Sequence, residues 1–167
     1  VETGLFESVE KGEFDSSSRG MRLLADACVS QGLLVKNGPN DYSNTPAGRL
    51  ALIPGAANDL TKALKYNMDV YSAWGKLAEF ARTSKPVERP SIHLGENLSR
   101  TKAFAAAMFS RALGIGRGVV PILGELKGRL LDLAGGPGAY AILMCQSNPS
   151  LQVVSVDVPA ISNEAKQ

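Results

Sequence analysis

The feature that most constrains the fold is a glycine-rich turn set between a short apolar run and a helical stretch. Residues 130–133 form the apolar run, which contains one acid, and residues 134–138 (AGGPG) follow at once. Residues 139–146 suit a helix, and the β-branched run 151–156 suits a second strand. This order predicts one βαβ unit of a parallel sheet, for which a right-handed crossover is strongly preferred.

An acid after the second strand indicates that the glycine turn belongs to a ligand-binding site. Glycines let the backbone turn sharply and approach a ligand, and an acid about 20 residues later can accept hydrogen bonds from two ribose hydroxyls. Asp157 stands at that position. We therefore predict an adenosine-type cofactor site formed by Asp132, Ala134, Gly135, Gly136, Gly138 and Asp157.

Two cofactors are compatible with these residues. The stretch from Gly136 through Gly138 to Ala141 fits the relaxed dinucleotide pattern, in which a helix N-terminus holds a pyrophosphate. An NAD(P)-dependent reductase therefore remains an alternative. The acid inside the first strand, Asp132, and the long helical region ahead of the site favour S-adenosylmethionine.

The N-terminal region has the order helix, hairpin, helix. Residues 19–31 place apolar side chains at helical spacing after a capping run of serines. Two short strands, 33–36 and 42–44, flank a turn-rich stretch, and Thr45 followed by Pro46 begins another helix. This order predicts a winged helix with a small β-hairpin.

The middle of the chain, residues 59–115, is predicted to be mostly helical, with a loop at 85–90 enforced by two prolines. One predicted helix face joins Val70, Trp74, Leu77, Ala78 and Ala81, and a later one joins Phe104, Met108 and Ile115. Of these, Trp74 and Met108 are candidates for lining a substrate pocket. The single histidine, His93, follows the proline loop, and we interpret it as a surface residue without a catalytic role.

Net charge, cysteine spacing and the length of apolar runs argue against several classes of protein. The 18 basic and 16 acidic residues leave a net charge of +2, too little to indicate nucleic acid or an anionic membrane as a partner. Cys28 and Cys145 have no metal-ligand spacing. No apolar run approaches the roughly 20 residues that cross a bilayer. We expect a cytoplasmic protein without a bound metal.

These motifs resemble those of the S-adenosylmethionine-dependent O-methyltransferases related to caffeate and acetylserotonin O-methyltransferases. Residues 132–138 (DLAGGPG) are similar to the family's Asp-x-Gly-Gly-Gly-x-Gly, with Ala134 in place of a glycine, and residues 157–161 (DVPAI) to its Asp-Leu-Pro-x-Val. Upstream, residues 22–34 resemble a segment of the family that begins with Arg-Leu-Leu and ends with Gly-Leu-Leu, and residues 42–47 resemble Tyr-x-x-Thr-Pro-x. Essentially the whole chain is covered.

The resemblance implies a winged-helix dimerisation domain (1–57), helices that form the substrate pocket (58–127) and the start of a Rossmann-like α/β domain (128–167). It implies a homodimer that methylates a hydroxyl of a small aromatic or polyketide-like molecule. The family's histidine base would lie beyond Gln167, so we expect an N-terminal fragment that is inactive alone. A winged-helix DNA-binding regulator with a ligand-sensing domain is a further alternative.

Overall fold

The chain folds into two compact units. The structure, a computed structural model, describes residues 1–166, and Gln167 of the predicted third region lies outside them. The first unit is Val1–Thr61, and the second begins at Lys62. The three regions predicted from the sequence, with boundaries after residues 57 and 127, are not the same division as these two units, and they remain predictions.

The first unit has the predicted order of helices around a hairpin. Its elements are α1 (Leu5–Lys11), α2 (Arg19–Ser30), β1 (Leu34–Gly38), β2 (Asp41–Asn44) and α3 (Pro46–Ala51). Ser18 caps α2 by accepting a 3.3 Å hydrogen bond from the Met21 amide, and Thr45 caps α3 at 3.1 Å from the Gly48 amide. The strands β1 and β2 pair in antiparallel fashion. The predicted helix, hairpin and helix are confirmed.

This unit buries a contiguous apolar core. The core consists of Leu5, Phe6, Val9, Ala25, Leu34 and Tyr42. Cys28 packs against it, and burial raises the pKa of its thiol. Cys28 therefore acts as a small, partly buried apolar side chain.

The second unit contains the predicted parallel strand pair. Its elements are α4 (Thr61–Trp74), α5 (Leu77–Thr83), α6 (Leu98–Val119), β3 (Gly128–Leu133), α7 (Ala139–Ser147), β4 (Leu151–Val156) and α8 (Pro159–Glu164), with 3-10 turns at Pro90–His93 and Val120–Leu123. Strand β3 pairs with β4 in parallel, from Gly128 opposite Leu151 to Leu133 opposite Val156. The βαβ unit is therefore confirmed, and its glycine turn lies at the carboxyl end of β3.

The predicted apolar face from Val70 to Ala81 is wrong as one continuous surface. The chain leaves the helix after Trp74 and begins α5 at Leu77. Gly75 lies at this break, and glycine is a poor helix former because its backbone loses the most freedom on ordering. Trp74 is 68% exposed and Leu77 is 55% exposed.

One stretch could cross a bilayer by length and composition alone, although the sequence contains no uninterrupted apolar run of about 20 residues. The stretch Leu98–Leu123, which is α6 and the turn after it, contains an 18-residue window with a mean hydropathy of 1.2, of which 22% is buried. Its basic residues interrupt the apolar sequence, so the stretch contains no long uninterrupted apolar run. In the structure α6 packs on α7: a Cβ added to Gly116 would lie 2.5 Å from Leu143 Cδ1. Core helices of globular proteins pass the same length and composition test.

Candidate binding cavity

A cavity of about 680 Å³ lies in the second unit, next to the glycine turn. One wall is a face of α6, and the other is formed by the glycine turn, the start of α7 and the end of β4. Its lining residues are Leu94, Phe104, Ala105, Met108, Arg111, Ala112, Ile115, Asp132, Ala134, Gly135, Gly136, Pro137, Ala139, Tyr140, Asp157 and Ile161. This position, at the carboxyl ends of parallel strands, is where open α/β sheets bind ligands.

The turn wall has a backbone that few sequences can adopt. Ala134, Gly136 and Gly138 have φ angles of 58°, 61° and 83°, all in the left-handed region. A Cβ on Gly135 would collide with the Ser155 hydroxyl and the Asp132 carboxylate. Glycine is therefore needed at position 135 because of space and at 136 and 138 because of conformation, whereas Ala134 is strained.

Asp157 fixes this turn through its carboxylate. Its Oδ2 accepts a 2.7 Å hydrogen bond from the Gly136 amide, and its Oδ1 accepts one of 2.7 Å from the Val158 amide. A carboxylate has about four lone-pair sites, so about two remain for a ligand. The side chain thus shapes the turn and still offers acceptors to the cavity.

Asp132 is the second acid of the turn wall. The parallel register places it opposite Ser155, whose hydroxyl donates to Asp132 Oδ2 at 3.4 Å. Within residues 1–166, no group of three or more His, Cys, Asp or Glu side chains is arranged to hold a metal ion. The chemistry of this wall is therefore that of hydrogen-bond acceptors and backbone amides.

The helix wall is apolar apart from one cation. Phe104, Met108 and Ile115 recur on the cavity face of α6, as their helical spacing predicts. Arg111 shares that face, and its guanidinium donates to the Asn67 side-chain oxygen on α4. The sequence prediction missed Arg111, although its position, three residues after Met108, was the signal that could have found it.

The structure brings most of the predicted site residues together. All predicted cofactor residues except Gly138 line the cavity, and so does Met108. Gly138 is buried as the N-cap residue of α7, where its amide donates to the Gly135 carbonyl at 3.0 Å. Trp74 is absent from the lining and is largely exposed at the end of α4.

His93 is not the surface residue that the sequence indicated. Its imidazole is 16% exposed, with Nδ1 3.2 Å from the Tyr66 hydroxyl and Nε2 3.3 Å from Glu88 Oε2. Glu88 also pairs with Arg100 at 2.5 Å. The acid lies only five residues before the histidine, which is the signal that was overlooked. His93 does not line the cavity, and it joins the proline loop to α4 and α6 instead.

Comparison with known proteins connects this cavity to one group of enzymes. A 3-hydroxy-5-methyl-1-naphthoate 3-O-methyltransferase from Streptomyces sahachiroi is 30% identical over 96% of this chain and 50% of its own length. Acetylserotonin O-methyltransferase from Macaca mulatta is 31% identical over 92% of this chain and 48% of its own length. The chain thus spans about half the length of the curated relatives it matches. No protein-family model matches it.

A solved methyltransferase structure is similar to this chain in fold as well. Human N-acetylserotonin methyltransferase, solved in complex with SAM, superposes with a TM-score of 0.80 and 25% identity over 99% of this chain and 55% of the human chain. At 99% coverage of this chain, the match includes residues of both units. Sequence and fold together place the chain among the S-adenosylmethionine-dependent O-methyltransferases.

Proposed function

We propose that this chain forms part of an enzyme that transfers the methyl group of S-adenosylmethionine to a hydroxyl of a small aromatic or polyketide-like molecule. One observation carries the proposal: Asp157 and the glycine turn that it braces face the same cavity as the apolar wall of α6. A polar site for the nucleoside of the cofactor thus lies next to an apolar site for the methyl acceptor.

The residues of the turn wall suit the cofactor. Asp157 has unused lone pairs for the two ribose hydroxyls, and nothing lies within 4 Å of the position that a Cβ on Gly136 would occupy. This open backbone lets the methionine part of the cofactor approach closely. When bound, the cofactor supplies an electrophilic methyl group.

The helix wall suits an aromatic acceptor. Phe104, Met108 and Ile115 would hold an apolar ring and exclude water from it. Methyl transfer is an in-line displacement, so the main task of the protein is to align the acceptor oxygen with the donor. No histidine lines the cavity in the described part of the chain, so the roles assigned here are binding and alignment and do not include proton removal.

We further propose that the first unit is a winged helix that forms a homodimer and does not bind DNA. Two of the three charged side chains of α2 are engaged, which leaves Arg19 as the one cation of this helix for which the described residues show no ion pair or side-chain hydrogen bond. Arg22 donates to the carbonyls of Ser16 and Ser17, and Asp26 accepts from Lys36 at 2.7 Å. A recognition helix needs free cations for phosphate contacts. Sedimentation should give twice the mass of the chain, and salt-dependent binding of duplex DNA would contradict this assignment.

Calorimetric titration tests the choice of cofactor. We expect S-adenosylhomocysteine to bind to the wild-type chain and NADH to give no heat, because the human enzyme that shares this fold was solved in complex with SAM. Asp157→Ala should abolish the binding. Ser162→Ala is the matched control, because Ser162 donates to the backbone carbonyl of Asp157 and not to its carboxylate. Binding of NADH in place of S-adenosylhomocysteine would overturn the proposal.

A further inference from the structure

The helix wall contains a cation, Arg111, that has no acidic partner among residues 1–166. Two arginines of α6 are in contrasting situations: Arg100 pairs with Glu88 at 2.5 Å and with Asp69 at 3.3 Å, whereas none of the ion pairs within residues 1–166 includes Arg111. The only side-chain acceptor recorded for Arg111 within those residues is the neutral Asn67 amide. A guanidinium has five N–H donors, so Arg111 keeps donors for a ligand.

The surroundings of Arg111 favour an anionic ligand group. Its neighbours on the helix wall, Met108, Ala112 and Ile115, have apolar side chains. The two acids of the cavity, Asp132 and Asp157, belong to the opposite wall, and Asp157 already accepts two backbone amides. A guanidinium binds a carboxylate most strongly when both N–H groups of one edge donate to it.

We propose that Arg111 selects acceptors that have a carboxylate on an apolar aromatic body, and that it binds this carboxylate directly. The inference rests on the proposed function, since it assumes that α6 forms the acceptor side of the cavity. The aromatic body would lie along Phe104 and Met108, while the anion would sit at Arg111, away from the acids of the turn. A site that pairs a charge in this way rejects a neutral analogue, because the guanidinium is then left without its partner.

The test compares 1-naphthoate with its neutral counterpart 1-naphthamide by calorimetric titration in the presence of S-adenosylhomocysteine. We expect the wild-type chain to bind the naphthoate about tenfold or more tightly than the amide. Arg111→Met should remove this preference, and Arg111→Lys should retain part of it. Lys102→Met is the matched control, because it removes the same charge from an exposed position of α6 that does not line the cavity.

The outcomes separate this inference from the proposed function. Three results would overturn the role of Arg111: equal affinity for 1-naphthoate and 1-naphthamide, no binding of 1-naphthoate, or a preference for 1-naphthoate that survives in Arg111→Met.

A second experiment compares the binding of S-adenosylhomocysteine with that of 5′-methylthioadenosine, which lacks the amino acid group. If Arg111→Met weakens only the former, Arg111 binds the cofactor's carboxylate and the inference is wrong. If the wild-type chain binds no S-adenosylhomocysteine, the proposed function itself fails. Circular dichroism verifies that each variant is folded.

Discussion

The two walls of the cavity are built by different means. The turn wall consists mainly of backbone held in unusual conformations, with Asp157 fixing the Gly136 amide at 2.7 Å. The helix wall consists of side chains on a regular helix. Met108 and Arg111 share the helical backbone of their neighbours, and only their side chains distinguish them. Backbone geometry tolerates few substitutions, whereas side chains on a helix can change freely. Under the proposed function, the turn wall would determine the cofactor and the helix wall would determine the acceptor.

The largest expected effect comes from adding one methyl group to the turn wall. Gly135→Ala would force its Cβ into the Ser155 hydroxyl and the Asp132 carboxylate, so we expect a loss of about 2–3 kcal/mol in unfolding free energy. S-adenosylhomocysteine binding should be lost as well. Urea denaturation and calorimetric titration measure the two effects.

Gly136→Ala is the matched control for that substitution. An added Cβ there meets open space, and only the φ of 61° penalises it, by about 1–2 kcal/mol. Equal losses in the two variants would show that conformation alone, and not the contact with Asp132 and Ser155, makes glycine necessary at position 135.

A methyl group added to α6 where it packs on α7 should act on packing and leave the cofactor site intact. Gly116→Ala would bring a Cβ to 2.5 Å from Leu143 Cδ1 and 3.3 Å from the Tyr140 ring. Leu143 can move, so we expect the unfolding free energy to fall by about 1 kcal/mol, with S-adenosylhomocysteine affinity unchanged. Thermal unfolding and the same titration provide the measurements.

Gly118→Ala, on the same helix, separates packing from helix propensity. Nothing lies within 4 Å of a Cβ at Gly118, so alanine should stabilise the helix by about 0.5–1 kcal/mol. If Gly116→Ala stabilises the protein as much as Gly118→Ala does, the close packing of α6 on α7 is not present in solution.

The smallest effect should come from relieving strain in the turn. Ala134 has a φ of 58°, which costs an L-residue about 1–2 kcal/mol relative to glycine, partly offset by the greater freedom of glycine in the unfolded chain. Ala134→Gly should therefore raise the unfolding free energy by about 0.5–1 kcal/mol. In contrast, Ala103→Gly, at an exposed position within α6, should lower it by about 1 kcal/mol. A destabilising Ala134→Gly would contradict the left-handed conformation.

The sequence predicted the turn wall better than the helix wall for a physical reason. Glycines, a proline and an acid after the second strand restrict the backbone locally, so residues 132–138 and Asp157 could be assigned before the fold was known. The two strands and α7 followed from apolar runs between turn signals. The strain at Ala134 is visible only in the backbone angles, although the resemblance pointed to glycine there.

The failures concern contacts between elements distant in sequence. The spacing of Arg111 from Met108 places both on one helix face, but the sequence alone does not show that this face meets the cavity. Glu88, five residues before His93, was a local signal for burial of the histidine, whereas its contact with Tyr66 joins segments 27 residues apart. Trp74 was expected in a pocket on the assumption of one continuous helix, but that helix ends at Trp74 itself.

Amide mapping by NMR tests the central claim, that the turn braced by Asp157 holds the cofactor, most directly. The ¹⁵N-labelled chain would be titrated with S-adenosylhomocysteine while its amide resonances are followed. The account predicts that the largest shifts occur at Gly135, Gly136 and Val158, and that residues 1–61 change little. Largest shifts within residues 1–61, or no shift at the glycine turn at saturating ligand, would contradict it.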